Sequence, residues 1–448
     1  MYKLKNIFII PFLFMCMTLY SQKEWTLNDC ITYGLENNLK LNDLNYITKS
    51  KKERYKQSYR ELFPTISANS SYNIQYGRSV DPNNNQIVSS NFFSNNYAIN
   101  TSIDIFNGFQ KLNTITATKF LYKAAQEEGL QEKYLQAFRI MSAFYDVDFY
   151  ERQLQIATEQ LSISTANINL VKKQIELGLK AGADLYEAKS VLSGDKLAAI
   201  QSKNNLDAAK LKLLQEMNMN SHRNIKINTL EDVLTENQEN KNNTDSIYSK
   251  ALTFMPIIKA QELRVNAAKK DIAISKGYLY PSLSFSAGYG TGFFETNIDA
   301  SGKVIPFRTQ IKDNASQFVG FSLHIPISER WRNRSQVKQQ KISLLKAENN
   351  LNIQKQELNK IIQELIHNYN ATLTEYKQTQ QNVTTHLLTF KIAQKKYEKG
   401  MISILELNQA KNLYAKSQNE NLQVKLKLKV QQKTINFYKG LPIFNINH

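Results

Sequence analysis

Histidines, cysteines and glycine-rich runs are where catalysis or metal binding could sit in this sequence. The five histidines, His222, His324, His367, His386 and His448, are scattered, and no two have the helical spacing of a metal pair. No HExxH, CxxC or P-loop pattern occurs. The run Gly288-Tyr289-Gly290-Thr291-Gly292 resembles a phosphate loop only out of context. It closes an alternating segment, so it reads as a flexible extracellular turn. His324 falls on the polar side of another such segment and reads as a wall residue. The residues therefore point to no catalytic site, no cofactor and no metal, and a secreted hydrolase would need a polar cluster that is not offered.

The elements around these residues begin with an export signal. Lys3 and Lys5 precede an apolar run from Ile7 to Leu19, broken by Pro11 and Thr18, and Leu19-Tyr20-Ser21 ends it before Gln22. Residues 1–21 thus read as a signal peptide, too short in its apolar part to span a membrane. Lipidation at Cys16 is the alternative, with Met15 a poor neighbour for it. Removing this segment takes Lys3 and Lys5 from the formal charge of +18 and leaves Cys30 as the sole cysteine, so no intrachain disulfide can form. A basic surface on an exported chain reads as solvated helix, not as a nucleic-acid site. Hydrophobic residues at 42% suit an ordered fold and are too few for a polytopic helical membrane protein. No other long apolar run occurs.

The chain states one plan twice. Leu62-Phe63-Pro64 recurs as Leu279-Tyr280-Pro281, 217 positions later, and Gly178 with Asp184, Leu185 and Ala188 recurs as Gly400 with Glu406, Leu407 and Ala410, 222 positions later. Each copy reads as helix, strand, polar loop, strand, very long helix, turn, helix. The opening helices are expected over 27–61 and 245–277. The organisation is residues 22–217, a linker over 218–244, and 245–448.

Four segments alternate strictly, as strands with unlike faces do. Ile66, Ala68, Ser70, Tyr72, Ile74 and Tyr76 oppose serines, asparagines and a glutamine. The second segment sets Tyr97, Ile99, Thr101, Ile103 and Ile105 on one side, the third Leu283, Phe285, Ala287 and Tyr289, the fourth Val319, Phe321, Leu323, Ile325 and Ile327. Their length and small-polar opposite faces fit membrane barrel strands. Ile66, Tyr72, Tyr76, Ile99, Phe285, Tyr289, Phe321 and Leu323 are the expected lipid-facing residues. The loops 77–96 and 292–317 would face the exterior. Four strands cannot close, and an open edge in lipid costs several kcal/mol per unpaired backbone group. Two chains would give a filled eight-stranded barrel, whereas three would give about twelve strands and a lumen.

No proline occurs between Asn83 and Met255 or between Ile327 and Leu441. Val337, Leu344, Leu351, Leu358 and Leu365 are spaced by seven, a coiled-coil seam. About 70 residues of helix make a rod of roughly 100 Å. Gly178 and Gly400 suit left-handed C-terminal caps, and Asp184 and Ser403 are candidate N-caps for the returning helices. A coiled-coil scaffold without a pore explains the heptads but not the strand hairpins at their ends.

At these residues the chain resembles the TolC family of outer-membrane efflux proteins over essentially its whole mature length. The resemblance rests on Leu27 to Leu39 with Leu35-Glu36-Asn37-Asn38, on the two Leu-aromatic-Pro strand entries, on the strand exit Ile105-Phe106-Asn107-Gly108, and on the tip from Tyr397 to Leu407. It implies a mixed fold: a trimeric outer-membrane β-barrel, four strands per chain, on a periplasmic tunnel of long antiparallel helical hairpins. It implies a homotrimer in the outer membrane of a Gram-negative bacterium, in contact with its lipid, and a passive conduit for efflux or type I secretion. The partners would be a periplasmic adaptor protein and an inner-membrane RND or ABC transporter. The tips, with Gly178, Leu179, Asp184, Gly400, Ser403, Glu406 and Gln409, would form the entrance and the adaptor dock. The family's second tip carries acids six and nine positions after its glycine. Here Glu406 is followed by Gln409, so a tight acidic ring is not implied. The second strand exit, Ile325-Pro326-Ile327-Ser328-Glu329, also lacks the family's glycine.

Overall fold

Asn38 and Met255 divide what the sequence reads as two continuous opening helices. In the computed structural model, which describes residues 24–81, 85–89, 91–220, 225–228 and 243–444, each is a pair. After a short strand β1 (Glu24–Trp25) come α1 (Leu27–Asn37) and α2 (Leu39–Arg60). Asn38 leaves the helical region at ψ 117° and its side chain accepts from the Leu41 N–H at 3.0 Å, capping α2. The signal segment 1–21, Cys16, His222, His448 and most of the expected linker lie outside the described residues.

The first copy continues through β2 (Thr65–Gln75), a small hairpin of β3 (Ser79–Val80) and β4 (Ile87–Val88), and the long strand β5 (Phe92–Asn107). Then α3 (Gln110–Glu176) and α4 (Gly182–Glu216) form the first helical hairpin. Strand β6 (Lys226–Ile227), from the expected linker, pairs in parallel with β1. The second copy opens with α5 (Thr244–Phe254) and α6 (Pro256–Gly277), parted at Met255 because the residue before a proline avoids the helical region. It goes on with β7 (Ser282–Phe294), α7 (Phe307–Asp313), β8 (Ser316–His324), α8 (Arg332–Glu398) and α9 (Ile404–Tyr438).

The duplication is metrical. Helices α3 and α8 are both 67 residues, and α4 and α9 are both 35. A 67-residue helix is about 100 Å long. Helix α3 packs on α2 and α6 in one part and on α4 in another, and α8 packs likewise on α6 and α9. Short helices therefore share the length of each rod. Of the heptad seam, Val337 and Leu358 are buried while Leu344, Leu351 and Leu365 are half-buried, and burial passes to Ile362 and Ile366. A straight helix of 3.6 residues per turn drifts in this way from a 3.5 repeat. Cys30, Ile140, Met141, Phe144, Leu213 and Met217 form one core between the first copy's helices, and Ile247, Ile258, Leu358, Ile362 and Phe437 form a second.

Each long helix begins at a left-handed pair. Gly108 and Phe109 have φ of 63° and 61°, and Arg330 and Trp331, 222 positions on, have 49° and 63°. The place of the family's glycine at the second strand exit is thus taken by Arg330 held in the same conformation, at a cost of roughly 1–2 kcal/mol for an L side chain. Space explains the difference. A Cβ on Gly108 would strike the Gly277 backbone at the end of α6. Gly108→Ala should therefore lower the thermal stability of the purified protein by about 3 kcal/mol or more. Arg330→Gly should leave it unchanged or raise it by up to about 1 kcal/mol. Equal losses in the two melts would refute this account of the corner.

Candidate channel wall and hairpin tips

Strands β2, β5, β7 and β8 form one antiparallel sheet in that order. The register puts Ala68 beside Ile99, Ile99 beside Tyr289, Phe285 beside Phe321, and Leu283 beside Leu323. Directly paired residues share a face. Ile66, Tyr72, Ile99, Phe285, Tyr289, Phe321 and Leu323 therefore lie on one side, and Tyr76 continues the alternation just past β2. The other side carries Ser67, Asn100, Ser102, Ser284, Ser286, Ser322 and His324, with Gly288 beside Phe318. Neither β2 nor β8 has a partner on its outer edge among the described residues. No helix among them is long and apolar enough to cross a membrane.

Two strands run further than their alternation suggested, while β8 ends at His324, short of Ile325 and Ile327, where Pro326 has no N–H to give a ladder. Strand β5 begins at Phe92 and β7 continues to Phe294, inside segments expected to be loops. Aromatic packing carries them on, with Phe93 against Tyr72 at 5.5 Å and against Phe293 at 5.2 Å between ring centroids. The Gly288–Gly292 run is accordingly strand, not turn. A Cβ on Gly288 would enter the Phe318 ring and one on Gly292 would crowd the Asn95 carbonyl, so these glycines give room to neighbours.

At the far end of the helices the two turns repeat each other. Gly178 has φ 71°, its N–H donates to the Ile175 carbonyl at 2.9 Å, and the Leu179 N–H donates to Gln174 at 2.7 Å. Gly400 has φ 72°, with matching bonds from its own N–H to Tyr397 and from Met401 to Lys396, both 2.9 Å. Both are Schellman caps. Ser403 caps α9, its Oγ accepting from the Glu406 N–H at 3.2 Å while the Glu406 carboxylate accepts from the Ser403 hydroxyl at 3.1 Å. Asp184 is not the N-cap of α4. Ala181 holds that position, and Asp184, three residues in, accepts from its N–H at 3.1 Å. Glu406 is its counterpart. Leu179, Glu406 and Gln409 are exposed.

The tips touch within the chain. Ile168, Val171, Ala188, Phe390, Tyr397, Ile404 and Leu407 bury one another. Tyr397 is 0% exposed, and Lys180 of the first tip donates to its hydroxyl at 3.2 Å while lying 4.3 Å from its ring centroid.

The sequence of this chain matches the family model described as "Outer membrane efflux protein" twice, over residues 34–218 and 247–441. The chain belongs to the outer membrane efflux protein family. Solved outer-membrane channels share its fold. VceC of Vibrio cholerae is 15% identical with a TM-score of 0.75, over 92% of this chain and 96% of that one. CmeC of Campylobacter jejuni is 15% identical with a TM-score of 0.76, over 92% of this chain and 85% of that one. MtrE of Neisseria gonorrhoeae, in its open state, is 14% identical with a TM-score of 0.72, over 94% and 90%. No curated protein sequence matches.

In this efflux-family chain, sequence reasoning missed a buried cation. Lys411 of α9 is 1% exposed, and its Nζ donates to Ser164 Oγ of α3 at 2.7 Å and to Asp195 Oδ2 of α4 at 2.5 Å, while the Ser164 hydroxyl also donates to Asp195. The second hairpin is thus fastened to both helices of the first. The signal was there in Ile404, Leu407 and Lys411, whose spacing puts a lysine in an apolar seam. Nearby, burial pushes the Tyr414 phenol up, helped by Glu159 against a bond from Gln418, so Tyr414 stays neutral at ordinary pH. Among the described residues no group of three or more side chains could hold a metal ion. Lys411→Met should cost about 3–5 kcal/mol in thermal unfolding by stranding Asp195. Adding Asp195→Leu should recover most of that loss, and a single variant as stable as the parent would refute the fastening.

Proposed function

We propose that three copies of this chain close a twelve-stranded outer-membrane barrel on a tunnel of helical hairpins, conducting cargo passively from periplasm to exterior. The carrying observation is a four-stranded sheet with one apolar face, one small-polar face and both edges open. In lipid those edges must pair, and among the described residues the strands of matching length with a free edge are β2 and β8 of neighbouring copies. Ile66, Tyr72, Tyr76, Ile99, Phe285, Tyr289, Phe321 and Leu323 then meet lipid, and His324 lines the lumen. The helices carry further uncovered apolar side chains, among them Tyr186, Leu197 and Ile200 on α4 and Ile342, Leu345 and Leu388 on α8, which neighbouring copies would cover.

No residue of the chain supplies energy in this reading. A periplasmic adaptor docks on the tips around Gly178, Leu179, Gly400 and Ser403, and an inner-membrane RND or ABC transporter drives the cargo. Glu406 and Asp184 serve first as helix caps, and Gln409 leaves the second tip with a single acid. Opening separates the two tips of each chain, which requires the Lys180–Tyr397 contact to break while the deeper Lys411 fastening holds. A coiled-coil scaffold without a pore has no use for a sheet that is apolar on one open face.

Detergent extracts of the outer-membrane fraction should contain a heat-sensitive species of roughly three chain masses. A water-soluble monomer or dimer would overturn the barrel and favour the scaffold. Tyr397→Phe should leave the trimer intact and raise the open fraction in planar bilayers about fivefold, the worth of one hydrogen bond of about 1 kcal/mol. An unchanged open fraction would remove this contact from the gate.

A further inference from the structure

The segment between β7 and β8 does not stay above the barrel. It turns back and lays α7 on the sheet's apolar face. Phe307 packs on Phe293 at 5.6 Å and on Tyr97 at 6.4 Å between centroids, and both rings belong to that face. Thr291, paired with Tyr97, donates through its hydroxyl to the Ile311 carbonyl at 2.6 Å. Gln310, 1% exposed, fixes the helix: its amide donates to the Phe294 and Ile305 carbonyls and accepts from the Phe294 N–H. The Asn314 amide donates to the Gly292 carbonyl at 2.8 Å. This is an anchored helix, not a loose loop.

Its inward side is Phe307, Gln310, Ile311 and Asn314. Arg308 and Lys312, one turn apart, share one outward flank, with Thr309 and Asp313 on the other. Neither basic side chain forms an ion pair among the described residues. Of the nearby acids, Glu295 accepts from the Phe93 N–H, and Asp299 is engaged by Ser301 and the Lys303 N–H within its own turn.

Depth follows from the strand. At the periplasmic rim Phe106, level with Leu283, packs on Phe109 at 5.2 Å. From Leu283 to Phe293 is about 33 Å along the strand at 3.3 Å per residue, or about 25 Å of height at a tilt near 40°. That is the height of an outer-membrane apolar band, which sets α7 at the level of the outer headgroups.

Resting on the barrel reading above, we infer that α7 is an interfacial helix whose Arg308 and Lys312 bind the phosphates of an anionic lipid in the outer leaflet. Phe307 and Ile311 seat it on the apolar band, and two unpaired cations meet the phosphate plane. Two basic side chains near such a surface together strengthen binding about tenfold or more.

Two measurements on the reconstituted trimer test this. Nitroxide labels at Ile99→Cys and, separately, Thr309→Cys report depth through accessibility to oxygen and to a nickel chelate, with buried Cys30 left in place. The expected result is Ile99 deep in hydrocarbon and Thr309 at headgroup level. A water-exposed Ile99 label overturns the lipid-face reading and this inference with it. A deep Ile99 label with Thr309 in free water overturns the inference alone. Diphosphoryl lipid A titrated into the detergent-solubilised trimer and followed by native mass spectrometry gives the second measurement. Arg308→Gln with Lys312→Gln should weaken binding about tenfold or more, while Lys391→Gln with Lys395→Gln, at the far end of α8, leaves it unchanged. Binding by the α7 double variant within twofold of the parent overturns the phosphate role.

Discussion

Unpaired backbone hydrogen-bonding groups cannot be left in hydrocarbon, and the rest of this molecule follows from that. Its sheet of β2, β5, β7 and β8 ends in two open edges. In water such edges would invite aggregation, and in lipid they would cost several kcal/mol per group. A closed ring of copies removes both problems at once. It also sorts the faces, because a side chain in a barrel strand meets either lipid or lumen. The alternation of Ile66, Tyr72, Phe285 and Phe321 with serine, asparagine and glycine is the sequence record of that sorting.

The junction between barrel and helices carries the second constraint. Strands stand apart by about 4.8 Å and helices by about 8–10 Å, so a sheet cannot pass straight into a helical wall of equal girth. The chain turns this corner in very few residues, and both copies do so with two consecutive left-handed residues. At Gly108 the Gly277 backbone leaves no room for a side chain, while Arg330 stands where there is room. Asn333 reaches the Tyr278 carbonyl at 3.1 Å and ties the second corner to the end of α6. Backbone strain is accepted at the one level where two architectures with different spacing must meet.

Much of this was legible in the residues. Period-two alternation marked the four strands of the large sheet but not the two-residue strands β1, β3, β4 and β6, heptads and the lack of proline marked the rods, and Gly178 and Gly400 marked the tips. What was not legible depended on tertiary packing. Strand ends vanished into polar segments because Phe93 and Phe293 are held by neighbouring rings, not by their own alternation. Asn38 ends one helix and caps the next, a dual role hidden within an apolar period. Asp184 looked like an N-cap because it is an aspartate just after the glycine turn, and it caps instead from the third helical residue. Lys411 drew no reading from the sequence, because the Ser164 and Asp195 that hold it lie on other helices. The strained pair Arg330–Trp331 carries no glycine to announce it.

The equal helix lengths of the two copies have a geometric consequence. Hairpins of 67 and 35 residues in both halves end at the same height. Three chains would therefore present six feet in one plane, alternating between the Gly178 and Gly400 kinds. Such a rim would be threefold by chain but close to sixfold in shape. A partner built from six identical subunits could seat one on every foot, yet it would meet two chemistries in strict alternation, Ala181 with Asp184 and Ser403 with Glu406. In that assembly the internal repeat would double the symmetry of the mouth without doubling the number of chains.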